Sequence, residues 1–539
     1  MNICRTVVRA VVVLLFTAWG AQAALAASCE SLSGLKLADT TITSAKEVAA
    51  GGFIPPGATS PPASVKSLPA FCRVTAEIKP TADSDIKIEV WLPLTNWNGK
   101  YRGQGNGGFA GQINYQGMAV AITHGYATAG TDTGHAASAV DASWALGHQE
   151  KIIDFGYRAI HEMTVKAKAV IQAYYGDAPK RSYFASCSNG GRQALMEAQR
   201  YPADYDGIIA GAPANDWVRL LTAAVWNMQA TAEPASYIPA SKIPAIAKAV
   251  RDACDELDGV KDGILNDPRE CRFDPAVLLC KENKETKDAD AASCLTAPQI
   301  AALNKVYSGP HDSKGRQILP GFSPGGEEGG NGWASWVTGA APRRSTQTGF
   351  GYGFFANMVF NDAAWDFKTF NFDTGVKIAD DKQNANLSAT DPNLKPFKAR
   401  GGKLIIYHGW SDVAIPPLGT IHYYNTVESA MGARETDAFV RLFMVPGMQH
   451  CGGGPGPNSF GDSGTATDAQ HDIYQALELW VEKGTPPEKI IATKYVSDFN
   501  PAQGVKMTRP LCPFPQVAKY KGTGDTNDAA NFVCVAGKK

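Results

Sequence analysis

Short apolar runs alternate with helical spacings from about residue 86 to residue 211. That rhythm predicts βα units around a largely parallel sheet. Ile88-Glu89-Val90-Trp91-Leu92 predicts a strand closed by Pro93, and residues 154–175 place Ile160, Met163, Ala167 and Ile171 on one side of a helix. Residues 181–185 predict a strand running into Cys187-Ser188-Asn189-Gly190-Gly191. A helix follows through Ala194, Leu195, Ala198 and Gln199, and residues 207–210 predict the next strand. After Trp217 the pattern changes. As far as about Ala399 the chain is richer in Pro, Gly, Asp and Trp and has no regular alternation. Buried-strand patterns return at residues 403–407 and 439–445, with a helix over 470–483. The economical arrangement is one sheet domain, residues 27–213 and 399–539, interrupted by an inserted domain over 214–398, an ordinary domain size.

The first residues change the picture of where this happens. Arg5 and Arg9 precede an apolar run from Ala10 to Phe16, followed by Ala21-Gln22-Ala23 and Ala24-Leu25-Ala26. That is the charge, apolar core and cleavage pattern of a secretory signal peptide over residues 1–26. The run is far shorter than the ~20 residues a membrane anchor needs. The mature chain is expected to be secreted or periplasmic, with no membrane partner. Charge is balanced, 51 Lys and Arg against 52 Asp and Glu, so no basic excess points to nucleic acid.

Cysteine adds more. Of eleven, Cys4 leaves with the leader, and Cys29, Cys72, Cys187, Cys254, Cys271, Cys280, Cys294, Cys451, Cys512 and Cys534 remain. An even count in an exported chain reads as a framework of five disulfides. A zinc site would call for paired Cys-x-x-Cys spacings, and none occur. Spacing leaves the pairing open.

A strand that runs through Ser188 into Gly190-Gly191 and then a helix has the form of a nucleophile elbow in an α/β-hydrolase, with Ser186 where the common motif has its first glycine. A helix-capping serine has the same local look. The partners discriminate: this fold orders its triad Ser, Asp, His. Asp412 follows the strand at 403–407 through His408-Gly409-Trp410-Ser411, and His450 follows the strand at 439–445 through Pro446-Gly447-Met448-Gln449. His408 precedes Asp412, the wrong order for the base. Cys187 precedes Ser188 and Cys451 follows His450. Should these two pair, their Cα atoms must lie about 4.4–6.8 Å apart, forcing Ser188 against His450. An oxyanion hole would take Asn189 N–H and a second donor from Gly103-Gln104-Gly105-Asn106-Gly107-Gly108. That loop lacks the Gly-Lys-Ser/Thr ending of a phosphate loop.

In the insertion, Asp255-Glu256-Leu257-Asp258-Gly259-Val260-Lys261-Asp262-Gly263-Ile264 sets three aspartates in one turn-rich loop flanked by Cys254 and Cys271. Calcium draws such oxygen ligands from a compact loop; a solvated Asp/Gly turn has the same composition.

The elbow Cys187-Ser188-Asn189-Gly190-Gly191-Arg192 resembles that of the tannase and feruloyl esterase family. So do Tyr205-Asp206-Gly207-Ile208-Ile209-Ala210-Gly211-Ala212-Pro213 and Val445-Pro446-Gly447-Met448-Gln449-His450-Cys451. The resemblance runs from Cys29 to Cys534. It implies an α/β-hydrolase fold with a large inserted lid domain, a triad of Ser188, Asp412 and His450, and oxyanion donors at Gly108 and Asn189. It implies disulfides Cys187–Cys451, Cys29–Cys72, Cys254–Cys271, Cys280–Cys294 and Cys512–Cys534. It also implies structural Ca2+ on Asp255, Asp258, Asp262 and the carbonyls of Val260 and Ile264, with no organic cofactor. The family takes small esters of aromatic acids: gallates, hydroxycinnamates and, in one branch, a terephthalate monoester. Trp336, Phe350 and Ile415 fall where the family's lid and triad-loop residues touch the aromatic group. The terephthalate branch meets the free carboxylate with a lid arginine; here Thr346 stands at that place, with Arg343 and Arg344 upstream. Phenolic esters are therefore expected, with a mono(2-hydroxyethyl) terephthalate-type hydrolase as the alternative. A non-catalytic binding protein on the same scaffold would show a damaged triad or a missing oxyanion loop, and neither is seen.

Overall fold

The computed structural model describes residues 27–60, 62, 65–281, 292–461, 468–498 and 500–539; the expected signal peptide lies outside them. Its framework is a nine-stranded sheet in the order β1-β2-β3-β5-β4-β6-β7-β8-β9. The strands are β1 Thr40–Val48, β2 Phe71–Ile78, β3 Ile86–Pro93, β4 Lys100–Gln104, β5 Ala127–Thr131, β6 Arg181–Cys187, β7 Gly207–Gly211, β8 Lys403–Gly409 and β9 Val440–Val445. From β5 to β9 every neighbouring pair is parallel. Strands β5, β7 and β9 are buried along their whole length, as a parallel sheet covered by helices on both faces requires. This is the α/β-hydrolase arrangement.

The parallel part begins later than the pattern from residue 86 suggests. β3 runs antiparallel to both β2 and β5. The link between β2 and β3 spans only residues 79–85, too short for a crossover, so a hairpin is what it can form. After β9 come two small antiparallel pairs, β10 Ile490–Tyr495 with β11 Val505–Leu511, and β12 Gln516–Tyr520 with β13 Phe532–Ala536.

Helix α1, Ala159–Tyr175, buries Ala159, Ile160, Met163, Ala167, Val170 and Ile171 and ends at Gly176 in the left-handed conformation. Residues 154–158 ahead of it form a wider π turn, which a 3.6-residue pattern does not distinguish. Helix α2, Asn189–Arg200, starts directly after Ser188. The helix expected over 470–483 starts at Ile473, because Asp472 caps it by accepting the backbone N–H of Tyr474 and Gln475.

Between β7 and β8 the chain leaves the sheet and forms mostly helices, including α3 Trp217–Thr231 and α4 Thr346–Gly353. An apolar cluster joins this segment to the sheet domain: Trp217, Phe354 and Phe355 share it with Phe109 and Phe155. Among the described residues there are five disulfides, Cys29–Cys72, Cys187–Cys451, Cys254–Cys271, Cys280–Cys294 and Cys512–Cys534. Such a set belongs to an oxidising compartment. No helix among the described residues is long and apolar enough to cross a membrane.

One buried cation ties the parts together. Arg192 of α2 is fully buried, and burial lowers its pKa to about 9. Its guanidinium donates to Asn189 Oδ1 (2.8 Å), to the carbonyls of Gly156 (2.7 Å) and Phe155 (3.1 Å) in the π turn, and to Leu387 O (3.2 Å) in the inserted segment. It also lies over the rings of Phe155 and Trp217. Replacing it strands three buried carbonyls, each costing about 1–3 kcal/mol. We expect Arg192→Met to lower the free energy of urea unfolding by about 3 kcal/mol or more; an unchanged midpoint would show that those carbonyls find other donors.

Candidate active site

Ser188 stands between β6 and α2 with φ 68° and ψ −126°, a backbone conformation that costs a non-glycine residue about 1–3 kcal/mol. Its surroundings hold it there. The Ser188 N–H donates to Gly211 O (2.9 Å), and the Ser188 carbonyl accepts the N–H of Arg192 (3.1 Å) and of Ala214 (3.2 Å). Ser186 is accommodated by its neighbour across the turn: a Cβ at residue 190 would overlap the Ser186 side chain, so Gly190 leaves the space that Ser186 fills.

Asp412 and His450 come from the ends of β8 and β9. Their loops are laced together by Trp410 N–H to Val445 O (2.9 Å) and Ser411 N–H to Met448 O (3.0 Å). His450 Nε2 lies 2.9 Å from Ser188 Oγ, and His450 Nδ1 lies 2.8 Å from Asp412 Oδ2. Beside them Cys187 and Cys451 are bonded, with Cα atoms 6.0 Å apart. A hydroxyl, an imidazole and a carboxylate in this relay can move a proton off the serine as it attacks a carbonyl.

The Asp412 carboxyl has no exposed surface. Burial pushes its pKa up, but the charge of His450 and the hydrogen bonds of His408 and His450 outweigh that and hold it well below the usual carboxylate range. Oδ1 accepts the backbone N–H of Ala414 (2.8 Å) and Ile415 (3.0 Å). Oδ2 faces both His450 and His408, the latter at 3.1 Å. His408 Nε2 also faces Ile415 O (3.1 Å), and its Nδ1 faces Thr420 Oγ1 (2.8 Å). Two acceptors at Nε2 require the proton there, so His408 donates to the carboxylate and accepts from Thr420. Set aside as a base on chain order, His408 stands behind Asp412 instead. The spacing of four residues to Asp412 was its only signal.

Gly108 and Asn189 line the cleft in front of Ser188, together with Trp336, Phe350, Ile415 and His450. Gly108 has φ 55°, and a Cβ there would run into the Ala139 carbonyl, so the turn requires glycine. The rings of Trp336 and Phe350 are parallel within 7°, centroids 6.0 Å apart, and Trp336 meets His450 edge-on at 5.3 Å. Phe350 also contacts Phe109, the residue after Gly108. Leu220 and Trp217 of α3 complete the apolar wall. No Lys or Arg is among the described residues lining the cleft. Arg343 turns toward Glu233 (3.9 Å) and the ring of Phe367, and Thr346 Oγ1 donates to Ser335 O.

The aspartates of the inserted loop are tied into backbone turns. Asp255 Oδ1 accepts Gly263 N–H (2.8 Å), Asp258 Oδ1 accepts Val260 N–H (3.0 Å) and Asp262 Oδ1 accepts Ile264 N–H (3.0 Å). Asp262 also pairs with Arg509. Burial, with the negative charges of Asp262 and Asp255, pushes Asp258 up to about 6. Among the described residues no three His, Cys, Asp or Glu side chains converge into a ready metal cage. The loop's carboxylate and carbonyl oxygens suit a hard cation in chemistry.

A sequence profile described as tannase and feruloyl esterase matches residues 72–535. An uncharacterized esterase of Xanthomonas campestris pv. campestris is 44% identical, over 95% of this chain and 92% of its own. The mono(2-hydroxyethyl) terephthalate hydrolase of Piscinibacter sakaiensis is 34% identical, over 88% and 86%. The crystal structure of feruloyl esterase B from Aspergillus oryzae has a TM-score of 0.85 at 30% identity, covering 94% of this chain and 99% of that one.

The lowered Asp412 carboxyl has a stability consequence. Between its folded value and the ~3.9 of an unfolded aspartate, the unfolded chain binds more protons, so stability rises with pH across that window and is complete above it. We expect Asp412→Asn to melt below the parent at pH 7, with the gap narrowing as pH falls below about 4. A gap that widened in acid would mean that the carboxylate is not stabilised by folding.

Proposed function

This chain belongs to the tannase and feruloyl esterase family, and from that premise we propose that it hydrolyses esters of phenolic acids, feruloyl or galloyl esters, through an acyl-enzyme on Ser188. Family and relatives make it a carboxylic ester hydrolase. The observation that carries the finer reading is His450, bridging Ser188 Oγ at 2.9 Å and Asp412 Oδ2 at 2.8 Å.

His450 takes the Ser188 proton as the oxygen attacks the ester carbonyl, and Asp412 orients and stabilises the imidazolium. The N–H groups of Gly108 and Asn189 meet the oxyanion, each such donor being worth about 2.7–4 kcal/mol. The tetrahedral intermediate collapses, and His450 returns the proton to the leaving alcohol. Water, deprotonated by the same imidazole, then attacks the acyl-enzyme; the C–Oγ bond breaks, His450 returns the proton to Ser188 Oγ and the aromatic acid leaves. Trp336, Phe350 and Ile415 receive the flat acyl group. The absence of Lys and Arg from the described cleft lining favours a phenolic ring over one bearing a carboxylate, because an unpaired buried charge is costly.

Residues 214–398 serve as a lid domain that shapes this cleft, and residues 1–26 as a signal peptide removed on export. The loop from Asp255 to Ile264 holds structural calcium through Asp255, Asp258, Asp262 and the carbonyls of Val260 and Ile264. Bound there, calcium would offset the mutual repulsion of these carboxylates.

Measured side by side, methyl ferulate and methyl gallate should be cleaved with kcat/KM at least about tenfold above mono(2-hydroxyethyl) terephthalate, and Ser188→Ala should lose at least about 10⁴-fold in kcat. The reverse order of substrates would reassign the acyl group, and an active Ser188→Ala would end the proposal. For the metal, excess chelator should lower the melting temperature and added calcium restore it by mass action; a melting curve indifferent to both leaves the loop as an ion-free turn.

A further inference from the structure

The loop that carries Gly108 and the helix that carries Asn189 are joined by a pair of side-chain amides. The β4–β6 ladder ends at Gln104 and Ala185. Two residues beyond it lies Asn106, and one turn into α2 lies Gln193, both buried. Gln193 Oε1 accepts the Asn106 backbone N–H at 3.0 Å, and Gln193 Nε2 donates to Asn106 Oδ1 at 3.2 Å. Asn106 Nδ2 donates in turn to the carbonyls of Gln112 (2.8 Å) and Thr131 (2.7 Å). These partners fix both amide orientations: only an oxygen can face the Asn106 N–H, and only an NH2 group can face two carbonyls.

We propose that Gln193 is a positioning residue that, through Asn106, sets the separation of the two oxyanion donors. This rests on reading Gly108 and Asn189 N–H as the oxyanion hole. Each donor is rigidly coupled to its end of the pair. Asn189 and Gln193 share one helix. Gly108 sits two residues after Asn106, in a turn closed by Ala110 N–H to Gly107 O (2.9 Å) and Phe109 N–H to Ala139 O (2.7 Å). His135 Nε2 lies 2.8 Å from the Phe109 carbonyl and anchors the turn on its other side; Gln193 is what references it to the nucleophile helix. Oxyanion donors act at about 2.7–3.1 Å from the developing charge, and a misplacement of ~1 Å costs ~10²-fold in rate.

The test uses the full-length enzyme, p-nitrophenyl acetate as substrate, and an aryl trifluoromethyl ketone. With that ketone the serine oxygen adds to the carbonyl carbon, its proton passes to His450 and an oxyanion forms. Gln193→Met, which keeps length and loses both hydrogen bonds, should lower kcat by about 10–100-fold with KM changed less than about threefold. Affinity for the ketone should fall in parallel, while affinity for ferulic acid, which forms no oxyanion, holds. In Gln193→Glu the neutral acid can both accept and donate as the amide does, and burial raises its pKa; its activity relative to the parent should therefore climb as pH falls. That variant carries the test if Gln193→Met does not fold. A folded Gln193→Met with parental kcat, or a Gln193→Glu ratio flat with pH, overturns the proposal. A parent enzyme that does not bind the ketone covalently through Ser188 instead overturns the reading beneath it.

Discussion

One buried negative charge organises the site. Asp412 is an ion with no exposed surface, and an uncompensated carboxylate in that position would simply take up a proton. It is kept ionised by two backbone N–H groups on one oxygen and two imidazoles on the other. Each of those contacts fixes something else. The N–H groups shape the turn that aims Ile415 at the cleft. His450 is held with its far nitrogen toward Ser188. His408 links the carboxylate to Thr420 at the start of the helix over Pro417–Met431. The strained serine, the apolar cleft wall and the sheet's carboxyl edge are thus registered to one another through a group that never meets solvent.

Much of this was legible in the chain because it rests on local pattern and chain order. Largely apolar stretches mark β6, β8 and β9, and Ser188, Asp412 and His450 stand just beyond their ends, where loops leave a parallel sheet. Cys187 and Cys451 were legible for a different reason: a covalent bond is the one long-range contact that a residue type announces. β1 carries little signal because it is mostly exposed and only Ala45 is buried; β2 does alternate, with Cys72, Val74, Ala76 and Ile78 inward, but it lies ahead of the βα rhythm that marks the sheet. Arg192 reads as a surface residue by type, and only the convergence of carbonyls from residues 155, 156 and 387 explains its burial. The Gln193–Asn106 pair spans 87 positions between side chains with no periodic signature. Amide pairs of this kind are visible only once the backbone is in place.

The inserted segment is less separate than its composition suggests. Phe109 of the glycine-rich turn packs against Trp217 and Phe350, Gln449 beside His450 donates to the Gly326 carbonyl, and Arg192 of α2 donates to the Leu387 carbonyl. These elements of the sheet domain that bear on the cleft therefore each have at least one contact in the insertion. Changes in the insertion reach the chemistry through packing, and close-packed interiors transmit such changes with little loss.

The Cys187–Cys451 bond also has a topological meaning. It closes a covalent ring 264 residues around, and the whole excursion between β7 and β8 lies within that ring. In the chain-entropy picture a ring of this size removes about 5–6 kcal/mol of disorder from the unfolded state. A single cut anywhere along the excursion opens the ring without dividing the molecule, because the two fragments stay joined beside Ser188 and His450. The segment that lines the cleft can thus be nicked or lengthened while Ser188 and His450 remain parts of one covalent body.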